Sequence, residues 1–129
     1  MESGGNGRSS CTYLSKNATD VVHMITKDGG GGGGNIPSGA EIIIVDPPRK
    51  GLDEAVLEWL VMDDDDDARP SSTPKPQLIV YVSCGFNAFK RDCDILRNSC
   101  KWRLDHAEGH LLFPGSDAIE TLAFFRRVV

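Results

Sequence analysis

Two apolar runs constrain this chain more than anything else in it: Ile42-Ile43-Ile44-Val45 and Leu78-Ile79-Val80-Tyr81-Val82. Neither alternates with polar residues. A strand with one face in water alternates with period two, so uninterrupted β-branched runs suit strands of a parallel sheet covered on both faces. The first run ends at Asp46-Pro47-Pro48, where two prolines stop any hydrogen-bond ladder. The second ends at Ser83-Cys84-Gly85. Helical periodicity follows each. Asp53 suits the N-cap of a helix over residues 54–61, with Val56, Leu57, Leu60 and Val61 on its apolar face and Trp59 half-buried at the edge. A second helix is predicted over Ala88 to Ser99, with Phe89, Cys93, Leu96 and Cys100 along one side. Two further strands, Trp102 to Glu108 and Ile119 to Phe125, are joined by Gly109 to Ala118. The order predicts an α/β fold, its sheet mostly parallel with a C-terminal antiparallel hairpin. The expected core is Ile42 to Val45, Leu57, Leu60, Leu78 to Val82, Phe89, Leu96, Leu104, Leu122 and Phe124.

The rest of the chain adds little apolar surface. Residues 1–40 are rich in Gly, Ser and Asn and contain the hexaglycine Gly29–Gly34, which reads as a low-complexity, disordered segment with a flexible linker. Within it, Ala18 to Thr26 suits a strand or a helix turn. The glycines do not make a phosphate-binding loop, because Asn35-Ile36-Pro37 follows them where a Lys-Ser/Thr pair is needed. Residues 41–129 form the folded unit, interrupted by an acidic, proline-containing surface loop at 63–76. Lys and Arg number 14 against 19 Asp and Glu, a formal charge of −5 that Asp63–Asp67 accounts for entirely. Such a balance argues against holding nucleic acid by bulk charge and leaves local contact open. No apolar stretch is long enough for a membrane span and no secretory h-region opens the chain, so an intracellular protein is expected, in the cytoplasm or an organelle. The four cysteines include no C-x-x-C pair, which gives neither a structural zinc site nor a disulfide framework.

An open α/β sheet binds ligands beyond the carboxyl ends of its strands. Asp46 and Cys84 both stand there. Asp46 is either a fixed hydrogen-bond acceptor or a plain turn and helix-entry residue. Cys84 is either a nucleophile, given access and a setting that favours thiolate, or a small buried core thiol. Glu120 opens the last strand, where the simplest reading is a solvated edge carboxylate. His106 and His110 are four apart on a strand, a spacing that does not converge on a metal ion, and no metal site is expected. Cys93 and Cys100 read as helix core.

Taken together, Asp46-Pro47-Pro48-Arg49-Lys50-Gly51-Leu52, then Ile79 to Cys84 with Arg91-Asp92, then Phe113-Pro114-Gly115-Ser116 through Ile119-Glu120, resemble the RNA uracil-5-methyltransferase family. The match covers roughly residues 41–127, with the motifs in the family's order. The resemblance implies part of a class I, Rossmann-like methyltransferase sheet and S-adenosylmethionine as cofactor. It implies an RNA substrate, transfer or ribosomal, methylated at uridine carbon 5. By it, Cys84 is the nucleophile that adds to carbon 6, and Glu120 the base that removes the carbon-5 proton. Asp46 matches a residue between cofactor and target base, and Arg49 and Ser83 stand on the substrate side. Asn-Pro commonly follows the family's nucleophile, where this chain has Gly85-Phe86, and a His commonly stands two before the base, where it has Ala118. One branch of the family shares the Gly-Phe and Ile-Glu forms. The family's cofactor loop precedes Asp-Pro-Pro, and residues 1–40 do not supply it. The chain thus resembles the C-terminal half of the catalytic domain, with a missing N-terminal half. The alternative is a non-catalytic fragment or interaction module lacking that half. A cytosine-5 methyltransferase, an amino-methylating enzyme and a redox or metal protein are weaker readings.

Overall fold

The computed structural model describes residues 15–27, 40–62, 75–116 and 118–128. The hexaglycine and the aspartate run lie outside them. Seven elements follow in order: α1 (Ala18–Lys27), β1 (Ile42–Val45), α2 (Glu54–Val61), β2 (Leu78–Ser83), α3 (Phe86–Asn98), β3 (Trp102–His110) and β4 (Glu120–Arg127). The predicted alternation of strands and helices holds. The segment left open between strand and helix turn is the helix α1, with Val22 buried.

The four strands form one sheet in the order β1-β2-β4-β3. β1 and β2 pair in parallel, with Ile42 opposite Leu78 and Val45 opposite Tyr81. β4 runs antiparallel to both β2 and β3, so β1, β2 and β3 point the same way, but only one of the three pairings is parallel; this corrects the expected mostly parallel sheet, because β4 inserts between β2 and β3. The expected hairpin is β3–β4. A register shift between Leu104 and His106 leaves Asp105 as the extra residue of a bulge, where its carboxylate accepts from Arg103 and Arg126, each at 2.8 Å. Those two arginines hold the Asp105 carboxyl below its ordinary range.

One face of the sheet carries the core. Ile79, Tyr81, Ala123 and Phe125 are completely buried against α2 and α3, with Leu60, Leu96 and Trp102 beside them. The opposite face is much less covered: Ile42 is 55% and Ile44 72% exposed. Leu78, Val80, Val82, Leu122 and Phe124 are only half-buried. This corrects the expected core in which every residue of both runs is buried and Phe124 rather than Phe125 is central. The runs have the composition of strands covered twice, and the described residues cover them once.

Three smaller differences have local causes. Trp59 is buried rather than half-buried, because Lys75 lies 5.5 Å over its ring. Lys75 is itself buried, so the end of the 63–76 segment is not surface loop: its ammonium donates to the Trp59 carbonyl at 2.5 Å and the Met62 carbonyl at 3.4 Å, closing the C-terminus of α2. Cys100 is exposed with φ 59°, past the end of α3, and is not helix core.

The one-sided core makes a direct prediction. Phe125→Ala should cost about 3–5 kcal/mol in denaturant unfolding, as for a fully buried aromatic. Phe124→Ala, one residue away on the other face, should cost markedly less. Equal losses would mean that both faces are packed.

Candidate active site

The loop between β1 and α2 is the first part of the site. Pro48 carbonyl accepts from Gly51 N–H at 2.8 Å, closing a tight turn through Arg49 and Lys50. Gly51 has φ +88°, a conformation that costs an L side chain, and a Cβ there would lie 2.6 Å from Asp92 Oδ2. Beyond the turn, Lys50 donates to Asp53 at 2.9 Å and holds its carboxyl below the ordinary range. With its carboxylate occupied by Lys50, and at 3.5 Å by Thr19, Asp53 makes no side-chain cap to α2.

Asp92 of α3 fixes this loop to the sheet. It is completely buried. Its carboxylate accepts from Leu52 N–H at 2.8 Å, Tyr81 O–H at 2.6 Å and Arg91 Nε at 2.8 Å. Arg91 also donates to the Leu52 carbonyl at 3.3 Å. Burial, and then the Asp92 carboxylate, push the Tyr81 phenol well above its ordinary range. The sequence carried a signal for this role that periodicity alone did not read. Asp92 lies three after Phe89 and four before Leu96, on the buried face of the helix.

The turn between β2 and α3 is the second part. Ser83 is buried, and its hydroxyl accepts from Gly85 N–H at 3.1 Å and lies 3.2 Å from the Gly85 carbonyl. Phe89 N–H donates to the Gly85 carbonyl at 2.9 Å, so α3 starts at Phe86, two residues before the periodicity suggested. A Cβ on Gly85 would meet the Arg49 carbonyl oxygen at 2.4 Å. Only glycine lets the two loops touch, and that contact brings Arg49 beside Cys84.

The third part is the β3–β4 connection. Ser116 N–H and Oγ both donate to the Phe113 carbonyl, at 3.2 and 2.9 Å, around Pro114-Gly115. The three parts enclose an open cleft of about 500 Å³, lined among others by Arg49, Cys84, Phe86, Asn87, Ser116 and Ala118. Cys84 is half-buried there, whereas Cys93 is buried inside α3, and that burial pushes its thiol up.

Glu120 and Cys84 flank the last β2–β4 pair, Ser83 opposite Thr121: Glu120 precedes Thr121 at the start of β4, and Cys84 follows Ser83 where the chain turns out of β2. On its other side Glu120 pairs with His110, whose Nε2 is 3.0 Å from Glu108. His106 holds the same Glu108 at 3.2 Å, and the two histidines draw its carboxyl below the ordinary range. Asp46 follows the last residue of β1, exposed, at the same end of the sheet. It lies about two strand spacings, roughly 10 Å, from the β4 position. Neither Asp46 nor Glu120 lines the cleft itself. Among the described residues no group of three His, Cys, Asp or Glu could hold a metal ion, and no helix is long and apolar enough to cross a membrane.

These features define an α/β protein with a half-buried thiol in a cleft beyond the carboxyl end of β2, at the end of the sheet where β4 begins with Glu120. No family model matches the chain. It is 40% identical over 89 residues to an uncharacterized RNA methyltransferase of Protochlamydia amoebophila, a match covering 69% of this chain and 20% of that protein. It is 33% identical over 85 residues to an uncharacterized RNA methyltransferase of Staphylococcus aureus, covering 66% and 16%. A crystal structure of the Pyrococcus abyssi tRNA (uracil-54, C5)-methyltransferase in complex with S-adenosyl-L-homocysteine is 30% identical, covering 68% of this chain and 19% of that one, with a TM-score of 0.49. The curated relatives set this chain among the RNA methyltransferases, in agreement with its motifs. It spans no more than a fifth of their length.

Two predictions follow from the site's geometry. Iodoacetamide should alkylate Cys84 well before Cys93 in the folded protein, read peptide by peptide by mass spectrometry, and similar rates would mean that α3 opens readily. The Tyr81 contribution to stability is full below pH 10, where the unfolded phenol titrates, and is lost as pH rises further. Denaturant unfolding should therefore weaken more steeply above about pH 10 in the wild type than in Tyr81→Phe, which has no phenol to ionise.

Proposed function

We propose that this chain carries the substrate-facing part of an S-adenosylmethionine-dependent RNA methyltransferase that acts on carbon 5 of uridine. The observation that supports it best is Cys84 in the cleft, alone among the described cysteines, at the end of the strand whose partner β4 begins with Glu120. Names of the curated relatives, all RNA methyltransferases, support the reaction class. A uridine in transfer or ribosomal RNA is the substrate class.

Carbon 5 of uracil is a weak nucleophile. Cys84 as thiolate forms a bond from Sγ to carbon 6, and the ring electrons move toward carbon 5 and the carbon-4 oxygen. When bound, S-adenosylmethionine supplies the electrophilic methyl group that carbon 5 takes. Glu120 then removes the proton from carbon 5, the carbon 5–carbon 6 double bond re-forms and the bond to Sγ breaks, returning the thiolate. A base in that role contributes roughly 10²–10⁴-fold. Arg49, exposed at the cleft, suits an RNA phosphate. Ser83 acts on the substrate side through the turn it shapes, since its hydroxyl is taken up by Gly85.

Of the groups that hold the methyl donor, the described residues fit one part. Asp46 presents an exposed carboxylate beyond β1, able to accept from an amino or hydroxyl group. The remaining donor contacts, in this proposal, come from residues outside 41–128. The bare outer face of β1, with Ile42 and Ile44 in solvent, supports a further structural half packing there. The same observation favours the second reading, in which these residues alone form a non-catalytic module that associates through the open face.

The test uses RNA carrying 5-fluorouridine, whose fluorine blocks removal of the carbon-5 substituent. With the methyl donor and the donor-binding half of the enzyme present, the wild type should form a covalent complex that survives denaturation, and Cys84→Ala should form none. Glu120→Gln should form a covalent complex even with ordinary uridine, because release needs the base. A complex formed by Cys84→Ala would remove Cys84 from the mechanism, and no complex with the wild type would favour the non-catalytic module.

A further inference from the structure

Phe86 is unexplained by the chemistry above, and its surroundings give it a use. It is the first residue of α3, two after Cys84, and it lines the same cleft. Its side chain is 58% exposed although it is a large aromatic group. It is not loose. Its ring centroid lies 6.4 Å from that of Phe89, tilted by 40°. Phe89 in turn packs edge-on against Tyr81 at 5.4 Å and lies 6.5 Å from Phe125, both completely buried. The rings therefore form a file from the centre of the core to the cleft, and Phe86 is its outermost member.

A large aromatic ring held on a rigid support at the wall of a cleft is an apolar surface ready to pack against whatever enters. What the cleft offers beside that ring fits an unpaired nucleobase. It has an aromatic ring, and the polar residues Arg49, Asn87 and Ser116 line it as well. Proteins that act on a base must hold it out of its stack, and aromatic side chains supply the replacement surface. We propose that Phe86 is the stacking platform for the RNA base that enters the cleft, and that it recognises an unstacked pyrimidine beside Cys84. This rests on the reading of the protein as an RNA-uridine methyltransferase and adds the residue that seats the base.

Binding without turnover separates the two ideas. The probe is a short oligouridylate, compared with an oligomer of the same length whose central residues are abasic. Each is titrated against the wild type, Phe86→Leu and Phe86→Tyr by fluorescence anisotropy. The wild type should prefer oligouridylate. Phe86→Leu should lose roughly 5- to 150-fold in that affinity, the range for one stacked base, and leave the abasic oligomer unchanged. Phe86→Tyr should bind like the wild type. Circular dichroism melts of the variants guard against unfolding, which would weaken both oligomers equally. The proposal is overturned if the wild type shows no preference for bases, if Phe86→Leu binds oligouridylate as well as the wild type, or if both oligomers weaken together. Base-dependent binding through Phe86 in a protein that forms no adduct with 5-fluorouridine RNA would keep the platform and reject the methylation chemistry.

Discussion

The Asp92 carboxylate is the interaction on which the rest of the site depends. It reaches two other pieces of chain, the end of the β1–α2 loop at Leu52 and the middle of β2 at Tyr81, and its neighbour Arg91 on its own helix. A fully buried carboxylate is expensive unless its oxygens are occupied, and leaving its partners unpaired would cost about 1–3 kcal/mol for each neutral group. The hydrogen bonds therefore lock together. The loop cannot leave without stranding Asp92, and α3 cannot slide along β2 without losing the Tyr81 contact. Gly51 completes the lock, because a side chain at that position would occupy the space of the carboxylate.

This lock explains why the motifs belong together. Asp46-Pro47-Pro48-Arg49-Lys50-Gly51, the Ser83-Cys84-Gly85 turn and Arg91-Asp92 are separated by up to forty-odd residues in the chain, yet the first is in close approach to both of the others. Gly85 meets the Arg49 backbone at the cleft, and Gly51 meets Asp92 behind it. Two close approaches, one on each side of Arg49 and Lys50, determine where the loop runs. Cys84 is presented by a turn held from below by Ser83 and from the side by Arg49. Backbone contacts thus fix the floor of the cleft, and the exposed side chains of Arg49, Phe86, Asn87 and Ser116 stand around it.

Element order and the hairpin were legible in the sequence because they follow from short-range pattern: two β-branched runs, two amphipathic stretches and a turn at Pro114-Gly115. The side of the sheet that carries the core was not. Ile42 to Val45 and Leu78 to Val82 read the same whether one face or both are covered, since composition records the environment a strand suits and not what surrounds it among the described residues. Phe124 and Phe125 are chemically identical, and only the register against Val80 and Ile79 assigns one to each face. Cys100 sits at helical spacing from Cys93 and Leu96, but the chain turns into φ > 0 just before β3 and carries it into solvent. Lys75 reads as a loop cation, and its burial comes from the open carbonyls at the end of α2.

For the site, the general rule that ligands sit beyond strand ends pointed to Asp46 and Cys84 before any relative was considered. It could not bring Glu120 to the same end of the sheet, because that placement exists only through the β2–β4 register, a pairing between residues far apart in sequence. The departures at Gly85-Phe86 read differently once the contacts are known. A residue with a side chain at 85 would push the Arg49 loop away, so glycine there is a condition for this form of the cleft. With no side chain at 85, the wall beside Cys84 is bare backbone, and the ring of Phe86 is the next group able to fill it. Position 86 is also where α3 begins, so the ring inherits the helix's rigidity and, through Phe89, that of the core. Glycine and phenylalanine are therefore one structural choice: the first brings the loops together, and the second furnishes the space that closeness leaves open.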